Sequence, residues 1–326
     1  MKKKILFISI LSIALLQSCK KEPENIWKIE VKQPAEKVQV TDISKEFFDA
    51  NFPLEKFKAQ YPWFQGTVSD EDFAQRRLDP LEIQIYKDAI SKIDVNKLSN
   101  DLGDLFAHVQ HYFPKFKNPK VYLFSSSLQM AEEPIIYQSD ENLLFIDISG
   151  FMGDNNAKYK NIIEPYMQKS MNVANIVPKV SLTIAENAFQ PSGNQQKFID
   201  ELVYSGKLMI LQDAFLPNTP AYLKMNYTQK QYEWAEQNEA NVWNYFVENN
   251  LIFSDDPRLV ARFIAPGPFS KFYTEIDNES SPQIGVFTGK QICKKFFAEN
   301  PDTQLVDFLK MSATDIFNKS DYKPKN

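Results

Sequence analysis

The chain has 326 residues, of which 42 are acidic, 37 are basic and only two are histidine, giving a net charge of −5. This balance argues against a nucleic-acid partner, since a nucleic-acid groove needs a basic stripe. Glycine is scarce, with nine residues, and no segment has the pattern of a P-loop or of a GxGxxG turn. Length and composition therefore indicate one compact, helix-rich globular domain.

Residues 1–18 have the pattern of a lipoprotein signal peptide. Lysines at positions 2–4 precede an apolar stretch from Ile5 to Leu16, which is too short to span a bilayer, and Cys19 completes a lipobox. We expect cleavage before Cys19 and attachment of acyl chains to it, which anchors the protein to a membrane. Without the signal peptide the net charge moves from −5 to −8. That charge disfavours electrostatic docking on anionic headgroups, so the acyl chains must supply the attachment.

The rest of the chain divides into a charged, proline-punctuated tether at residues 19–37 and a globular domain at residues 38–326. Early elements are a weak strand within residues 38–43 and helices at residues 44–113, followed by three short strands joined by tight turns within residues 120–148. Later helices are expected over residues 159–171, 176–189, 194–217, 228–249, 257–263 and 282–299, the last capped by Ser281, before a short tail at 302–317. Segregated helices and strands predict an α+β fold with a small early sheet.

The helix at residues 194–217 has two irregular residues on its apolar face. Gly206 costs about 1 kcal/mol against alanine in a helix interior, and Asp213 places a carboxylate where burial is expected. Gly285 and Gly289, four residues apart, clear one side of a later helix. The preferred interpretation is structural: Gly206 admits a neighbouring helix, and Asp213 caps the helix or pairs with a neighbour. A groove that exposes these residues to a partner is the alternative.

The two histidines, His108 and His111, lie three apart on one helix. A zinc site usually needs three protein ligands, and no glutamate stands beside either histidine, so helix packing is the favoured role. A catalytic triad would need the same two residues, and there is no G-x-S-x-G elbow. Cys293 lies among apolar residues and is expected to be a buried, inert thiol. Carboxylate-pair chemistry stays open, with Glu186, Asp213, Glu275 and Asp277 as candidates.

Four long motifs carry a resemblance. LFIDISGFMGDNNAKYKNIIEPYM, FIDELVYSGKLMILQDAFLP, YEWAEQNEANVWNYFVENNLIFSDD and PQIGVFTGKQICKKFFAENP follow the lipobox in this order. With these motifs the chain resembles the GldB family, gliding motility-associated lipoproteins of Bacteroidetes. The resemblance covers nearly the whole mature chain. It implies a cell-envelope lipoprotein required for gliding motility and linked to type IX protein secretion, and it implies no particular reaction.

The family is in turn similar to zinc-peptidase-like proteins, whose metal helix carries HExxH and whose next helix supplies a glutamate ligand. On that similarity, Ala185-Glu186-Asn187 would lie on the metal helix, which has no histidine. Ser205 would stand where the glutamate is needed. The resemblance therefore implies a degenerate zincin-like scaffold that binds no metal or cofactor and is not an enzyme.

Three functional hypotheses follow. The first, which we favour, is a non-enzymatic lipoprotein that assembles with other gliding or secretion proteins of the envelope. The second is an envelope hydrolase that depends on a metal or on carboxylates. The third is a glycan- or peptide-binding module that uses exposed aromatic residues between Tyr222 and Trp243. Lys20 and Lys21, which follow Cys19, lack the acidic residue of an inner-membrane retention signal, and this favours the outer membrane.

Overall fold

The computed structural model describes residues 25–31, 37–191, 196–275 and 277–324. The predicted signal peptide and the predicted lipidation site Cys19 lie outside these residues. Within the described ranges, fifteen α-helices surround one four-stranded sheet whose strands all lie between residues 40 and 147. This architecture confirms the predicted helix-rich α+β fold with a small early sheet.

The sheet has the order β1-β2-β4-β3, with β1 at Val40–Asp42, β2 at Lys120–Phe124, β3 at Ile135–Gln138 and β4 at Leu143–Asp147. Strands β1, β2 and β4 are parallel, and β3 pairs antiparallel with β4 at one edge. The prediction of tight turns throughout is wrong between β2 and β3. Because β2 and β4 are parallel neighbours, the chain must cross over between them, and residues 125–134 form part of that long connection.

Strand β4 is buried along its whole length because the two faces of the sheet pack against different cores. Leu144 and Ile146 belong to the large helical core, together with Val121 and Leu123 of β2. The intervening side chains face a smaller, phenylalanine-rich cluster. That cluster joins residues of the first helices to Phe124, Leu143 and Phe145. The sequence LLFI is continuously apolar because its side chains alternate between two cores and all of them are buried.

The predicted helices lie close to their predicted positions, with two exceptions, and three short helices at residues 221–224, 305–310 and 313–320 were not predicted. Their bounds are α1 Ile43–Phe47, α2 Leu54–Gln60, α3 Asp70–Arg76, α4 Pro80–Ile90, α5 Val95–Tyr112, α6 Pro165–Gln168, α7 Ile176–Ala188, α8 Phe198–Phe215, α9 Ala221–Lys224, α10 Gln229–Gln237, α11 Glu239–Glu248, α12 Arg258–Phe263, α13 Ile284–Glu299, α14 Leu305–Lys310 and α15 Ala313–Ser320.

The two exceptions are helices that the structure breaks. In place of a helix over residues 159–171 there is a 3₁₀ turn at Ala157–Tyr159 and then the short α6. Asn161 between them adopts φ +62°, a left-handed conformation that does not continue a helix. The helix predicted over residues 228–249 is divided at Asn238, whose backbone is not helical and whose side-chain amide donates to the carbonyl of Trp234.

The predicted cap of α13 is also wrong. Gln283, with φ +49°, directly precedes the helix, and the hydroxyl of Ser281 donates to the carbonyl of Gln231 instead. The first amide of α13, that of Ile284, donates to the hydroxyl of Ser270, at a distance of 3.0 Å. A hydroxyl from another loop therefore accepts the first backbone amide of the helix, which has no partner within the helix.

Helix α8 is the centre of the fold, and it is buried on nearly every side rather than along one stripe. Its closest partner is α13, which meets it where the two helices carry glycine. A Cβ atom added to Gly206 would lie 2.3 Å from the carbonyl oxygen of Gly289, and one added to Gly289 would lie 1.8 Å from that of Leu202. Only glycine at both positions permits this approach. Gly285 is also enclosed, by Phe263, Ile264 and Leu202.

Candidate functional site in a lysine-lined cavity

The close packing of α8 on α13 brings three charged groups together in the interior. Asp213 lies two turns beyond Gly206 on α8, and Lys290 directly follows Gly289 on α13. Lys290 Nζ lies 3.1 Å from Asp213 Oδ1, and Lys224 Nζ, from α9, lies 2.5 Å from the same oxygen. The exposed fractions of Lys290 and Lys224 are 2% and 5%, so this cluster is an interior one. Asp213 thus pairs with neighbours rather than capping its helix.

The cluster contains one carboxylate and two ammonium groups. Burial opposes the ionisation of Asp213, but the nearby Lys290 and Lys224 outweigh it and hold the pKa of the carboxyl below its usual value. Burial lowers the pKa of Lys224, against the attraction of Asp213. Removing charges from water is costly unless each is compensated. Asp213 is the one acid among the described residues that contacts these lysines, so one of the two positive charges has no counter-charge of its own there.

These groups line a cavity of about 890 Å³. Its lining includes Lys294 at the exposed rim of α13, and Glu239, which accepts a hydrogen bond of 2.8 Å from the Tyr322 hydroxyl. Among the described residues the lining comprises five lysines and two acids. An otherwise acidic protein therefore has a locally basic cavity. Two of the rim lysines, Lys295 and Lys323, pair with neighbouring acids, and Lys294 attracts the carboxylate of Glu239. In the described part of the lining, the unmatched positive charge therefore lies in the buried cluster.

One wall of the cavity is formed by the N-terminal segment at residues 25–27. The indole of Trp27 is only 9% exposed and meets the ring of Phe297 edge-on, with centroids 5.1 Å apart. The side-chain amide of Asn25 donates to the carbonyl of Pro217 over 2.9 Å. This part of the predicted tether is packed on the domain.

The histidines occupy separate environments. His108 is buried beside a second cavity, of about 920 Å³, and its Nδ1–H donates to the carbonyl of Asp104 over 2.8 Å. His111 is exposed, and its ring lies edge-on to that of Tyr112. Over the described ranges no group of three or more His, Cys, Asp or Glu side chains is placed to hold a metal ion.

The candidate carboxylates also differ in their surroundings. Asp213 lies in the lysine cluster, whereas Asp277 accepts hydrogen bonds from the backbone amides of residues 272–274 and so holds a loop. Glu186 and Glu275 are exposed. Cys293 is fully buried against the α8–α13 contact, and burial raises the pKa of its thiol, which keeps the thiol protonated.

The aromatic residues between Tyr222 and Trp243 do not form an exposed surface. Tyr227 and Trp243 are buried, and the other three are partly buried against the main core. The glycan-binding hypothesis therefore loses the exposed aromatic surface on which it depended.

Sequence reasoning missed the lysine partners of Asp213 and a buried polar cluster at the end of β4. Asp147 is fully buried there, and its carboxylate accepts hydrogen bonds from the amides and hydroxyls of Ser126 and Ser149. These bonds join the β2–β3 connection to the end of β4. The sequence feature that could have revealed this polar cluster is Asp147 itself, a charged residue that directly ends an apolar strand.

The fold and the cavity define a helix-rich α+β domain. Its charged interior groups form ion pairs with one another and hydrogen bonds with the backbone. A model of the family described as gliding motility protein GldB matches residues 24–324. The chain therefore belongs to the GldB family of gliding motility lipoproteins. No curated protein and no solved structure matches the chain, so the zincin-like likeness stays a prediction.

The family membership implies a gliding motility lipoprotein that is associated with the cell envelope. The family is described by motility and not by a reaction. Within the part of the chain that the structure describes, no helix has the length and apolar character needed to cross a membrane.

Proposed function

We propose that the protein is a non-enzymatic lipoprotein that acts in gliding motility by assembling with other envelope components, including those of type IX secretion. The attachment point is Cys19, and the outer membrane is the favoured site. The family match and the lipobox pattern support this function. Two of the four motifs that carry the family resemblance form the largely buried helices α8 and α13, which suits a scaffold.

The docking of the N-terminal segment is the observation that carries the proposal. Asn25, the first described residue, contacts Pro217, and Trp27 is inserted between α5 and α13 near Tyr112 and Phe297. Asn25 is the sixth residue after Cys19, so a fully extended chain between them spans at most about 20 to 22 Å. A domain attached in this way would be held close to the membrane surface, with the Pro217 side toward the lipid.

The roles of the potentially reactive groups support a non-enzymatic function. The Cys293 thiol is enclosed, the His108 ring donates to its own helix, and the Asp213 carboxylate is neutralised by lysines. Burial accounts for the thiol, and bonds within the fold account for the imidazole and the carboxylate.

A Cys19→Ala variant tests the attachment. We expect the variant protein to leave the membrane fraction and the cells to stop gliding, because the acyl chains supply the attachment. A Lys20→Ala variant is the matched control and should retain both properties. Membrane pelleting of the Cys19→Ala protein at its normal abundance would refute the lipid anchor.

A deletion strain tests the link to secretion. We expect it neither to glide nor to export type IX substrates, and we expect chemical crosslinking in envelope membranes to join the protein to other motility or secretion proteins. The enzymatic alternative makes the opposite prediction for single residues. If His108→Ala or Glu186→Ala abolished gliding while the protein remained folded and abundant, the non-enzymatic proposal would be wrong.

A further inference from the structure

We propose that the lysine-lined cavity binds the phosphate of a phospholipid headgroup, with Lys224 and Lys290 as the phosphate ligands. The binding chemistry follows from the cavity itself. The choice of a membrane lipid as the source of the phosphate rests on the proposed lipid anchor at Cys19.

The first argument is the uncompensated charge. Asp213 Oδ1 contacts both Lys224 Nζ and Lys290 Nζ, so a single carboxylate compensates two buried ammonium groups. Lys224 Nζ also donates to the carbonyl of Leu216 over 3.2 Å. For Lys290 Nζ, Asp213 is the one acceptor among the described residues, although an ammonium has three donors. An anion in the cavity would accept the remaining donors and neutralise the cluster.

The second argument concerns the kind of anion. Two ammonium groups that share one oxygen lie close enough to contact one tetrahedral anion. Lysine binds phosphate as a compact point charge, whereas a planar carboxylate is matched by the two-pronged guanidinium of arginine. Among the described residues, the lining of this cavity contains lysines and no arginine. Phosphate is therefore the better fit.

The third argument is the apolar part of the lining. Ile26, Trp27, Ile210, Phe297 and Ala298 line the same cavity as the lysines. A volume of about 890 Å³ lies within the range of cavities that hold small organic ligands. A ligand that combined a phosphate with glyceryl or acyl groups would contact both kinds of surface, whereas an inorganic phosphate would leave the apolar part unused.

The fourth argument is the position of the cavity. Residues 25–27 form one of its walls, and they follow Cys19 by no more than about 20 to 28 Å of extended chain. A lipid anchor at Cys19 would thus keep the rim near the headgroup layer. The net charge of the protein disfavours general attraction to anionic headgroups, but a cavity with its own buried positive charge can bind one headgroup locally.

The test uses the purified, lipidated full-length mature protein in a neutral detergent and three added compounds. Dihexanoyl phosphatidylglycerol carries both phosphate and acyl groups, dihexanoylglycerol lacks the phosphate, and inorganic phosphate lacks the acyl groups. Binding is measured by native mass spectrometry and by the change in tryptophan fluorescence, since Trp27 lies in the cavity wall. We expect saturable binding of the phosphatidylglycerol, weaker binding of phosphate, and none of the dihexanoylglycerol.

The variant Lys290→Met removes the charge that has no counter-charge. It leaves Asp213 paired one-to-one with Lys224, so the protein is expected to fold. We expect its affinity for the phosphatidylglycerol to fall by about 10- to 100-fold, the effect of losing a charged hydrogen-bond donor. Lys310→Met, a change to an exposed lysine that pairs with Asp307 outside the cavity, is the matched control and should bind normally.

The phosphate site, the phospholipid ligand and the lipid anchor are each tested by a different result. Equal binding by Lys290→Met and the wild-type protein would overturn the assignment of the phosphate site. Equal affinity for inorganic phosphate and for the phosphatidylglycerol would overturn the choice of a phospholipid. A Cys19→Ala protein that leaves the membrane but still binds the phosphatidylglycerol in solution would support the cavity while showing its independence from the anchor. If the proposed anchor failed, only the fractionation result would change.

Discussion

Replacing Gly289 by alanine is expected to lower the free energy of unfolding by about 2 to 3 kcal/mol. The added Cβ would lie 1.8 Å from the carbonyl oxygen of Leu202, whereas real Cβ atoms essentially never approach within 3.0 Å. The obstructing atom belongs to the backbone of α8 and cannot rotate away, so α8 and α13 would have to separate by about 1 Å. Alanine gains about 1 kcal/mol of helix propensity over glycine, and the loss of packing outweighs this gain.

A series of glycine variants measures this effect. Urea unfolding followed by circular dichroism should give the largest loss for Gly289→Ala, a similar loss for Gly206→Ala and a smaller one for Gly285→Ala. The smaller loss is expected because the closest atom to Gly285 is the flexible end of the Ile264 side chain, and the nearest backbone atom, the carbonyl oxygen of Phe263, would lie 2.9 Å from the added Cβ. Gly267→Ala is the control, since its Cβ would meet only the carbonyl oxygen of Phe269, at 3.7 Å. If Gly289→Ala were as stable as Gly267→Ala, the close contact of the two helices would be wrong.

Three further changes test other parts of the structure. Trp27→Ala should lower the free energy of unfolding by about 3 kcal/mol and make residues 25–31 sensitive to protease, because the indole fixes this segment to Phe297. Unchanged proteolysis would contradict the docking. Asp147→Asn should cost about 2 to 4 kcal/mol in thermal or urea unfolding, because an amide nitrogen replaces an oxygen that accepts from buried donors. Asp140→Asn in the exposed β3–β4 turn is its control and should change stability by less than about 0.5 kcal/mol. Burial lowers the pKa of Lys179 to about 8, so the folded protein binds fewer protons than the unfolded chain between this pH and about 10.5. The stability lost by holding the charged Lys179 side chain in the fold is therefore greatest below pH 8 and decreases as the pH rises. Lys179→Met should stabilise the protein by up to about 3 kcal/mol at pH 7 and by much less near pH 10.5. A gain that is the same at both pH values would refute the lowered pKa of Lys179.

Local patterns predicted most elements because each depends on neighbouring residues. The apolar period of three to four residues marks α5, α7 and α8. Asp79 as the N-cap and Pro80 at the first helical position mark the start of α4. Patterns failed where one residue leaves the helical conformation, as Asn161 and Asn238 do. Asn161 adopts a left-handed backbone and Asn238 adopts φ −107° and ψ 9°. Asparagine tolerates such conformations as well as the helical one, so its presence alone does not show which one the fold selects.

The candidate site depends on contacts between residues that are far apart in the sequence. Asp213 stood out as a charge on an apolar helix, but its partners Lys224 and Lys290 are 11 and 77 residues further along the chain. Nothing in the local sequence distinguishes Lys290 from an exposed helical lysine such as Lys294. The difference arises because the Gly206–Gly289 contact turns one face of α13 into the interior.

By itself, the sequence determined the predicted lipobox at Cys19, the helix-rich α+β class, the position of the strands and the family resemblance. All of these rest on composition, period or contiguous motifs. Only the tertiary structure decided the strand order, the cap that Ser270 provides to α13, the docking of Trp27 and the cluster of Asp213 with two lysines. Each of these joins residues that are far apart in the chain, and it forms only when the helices pack closely enough to exclude water.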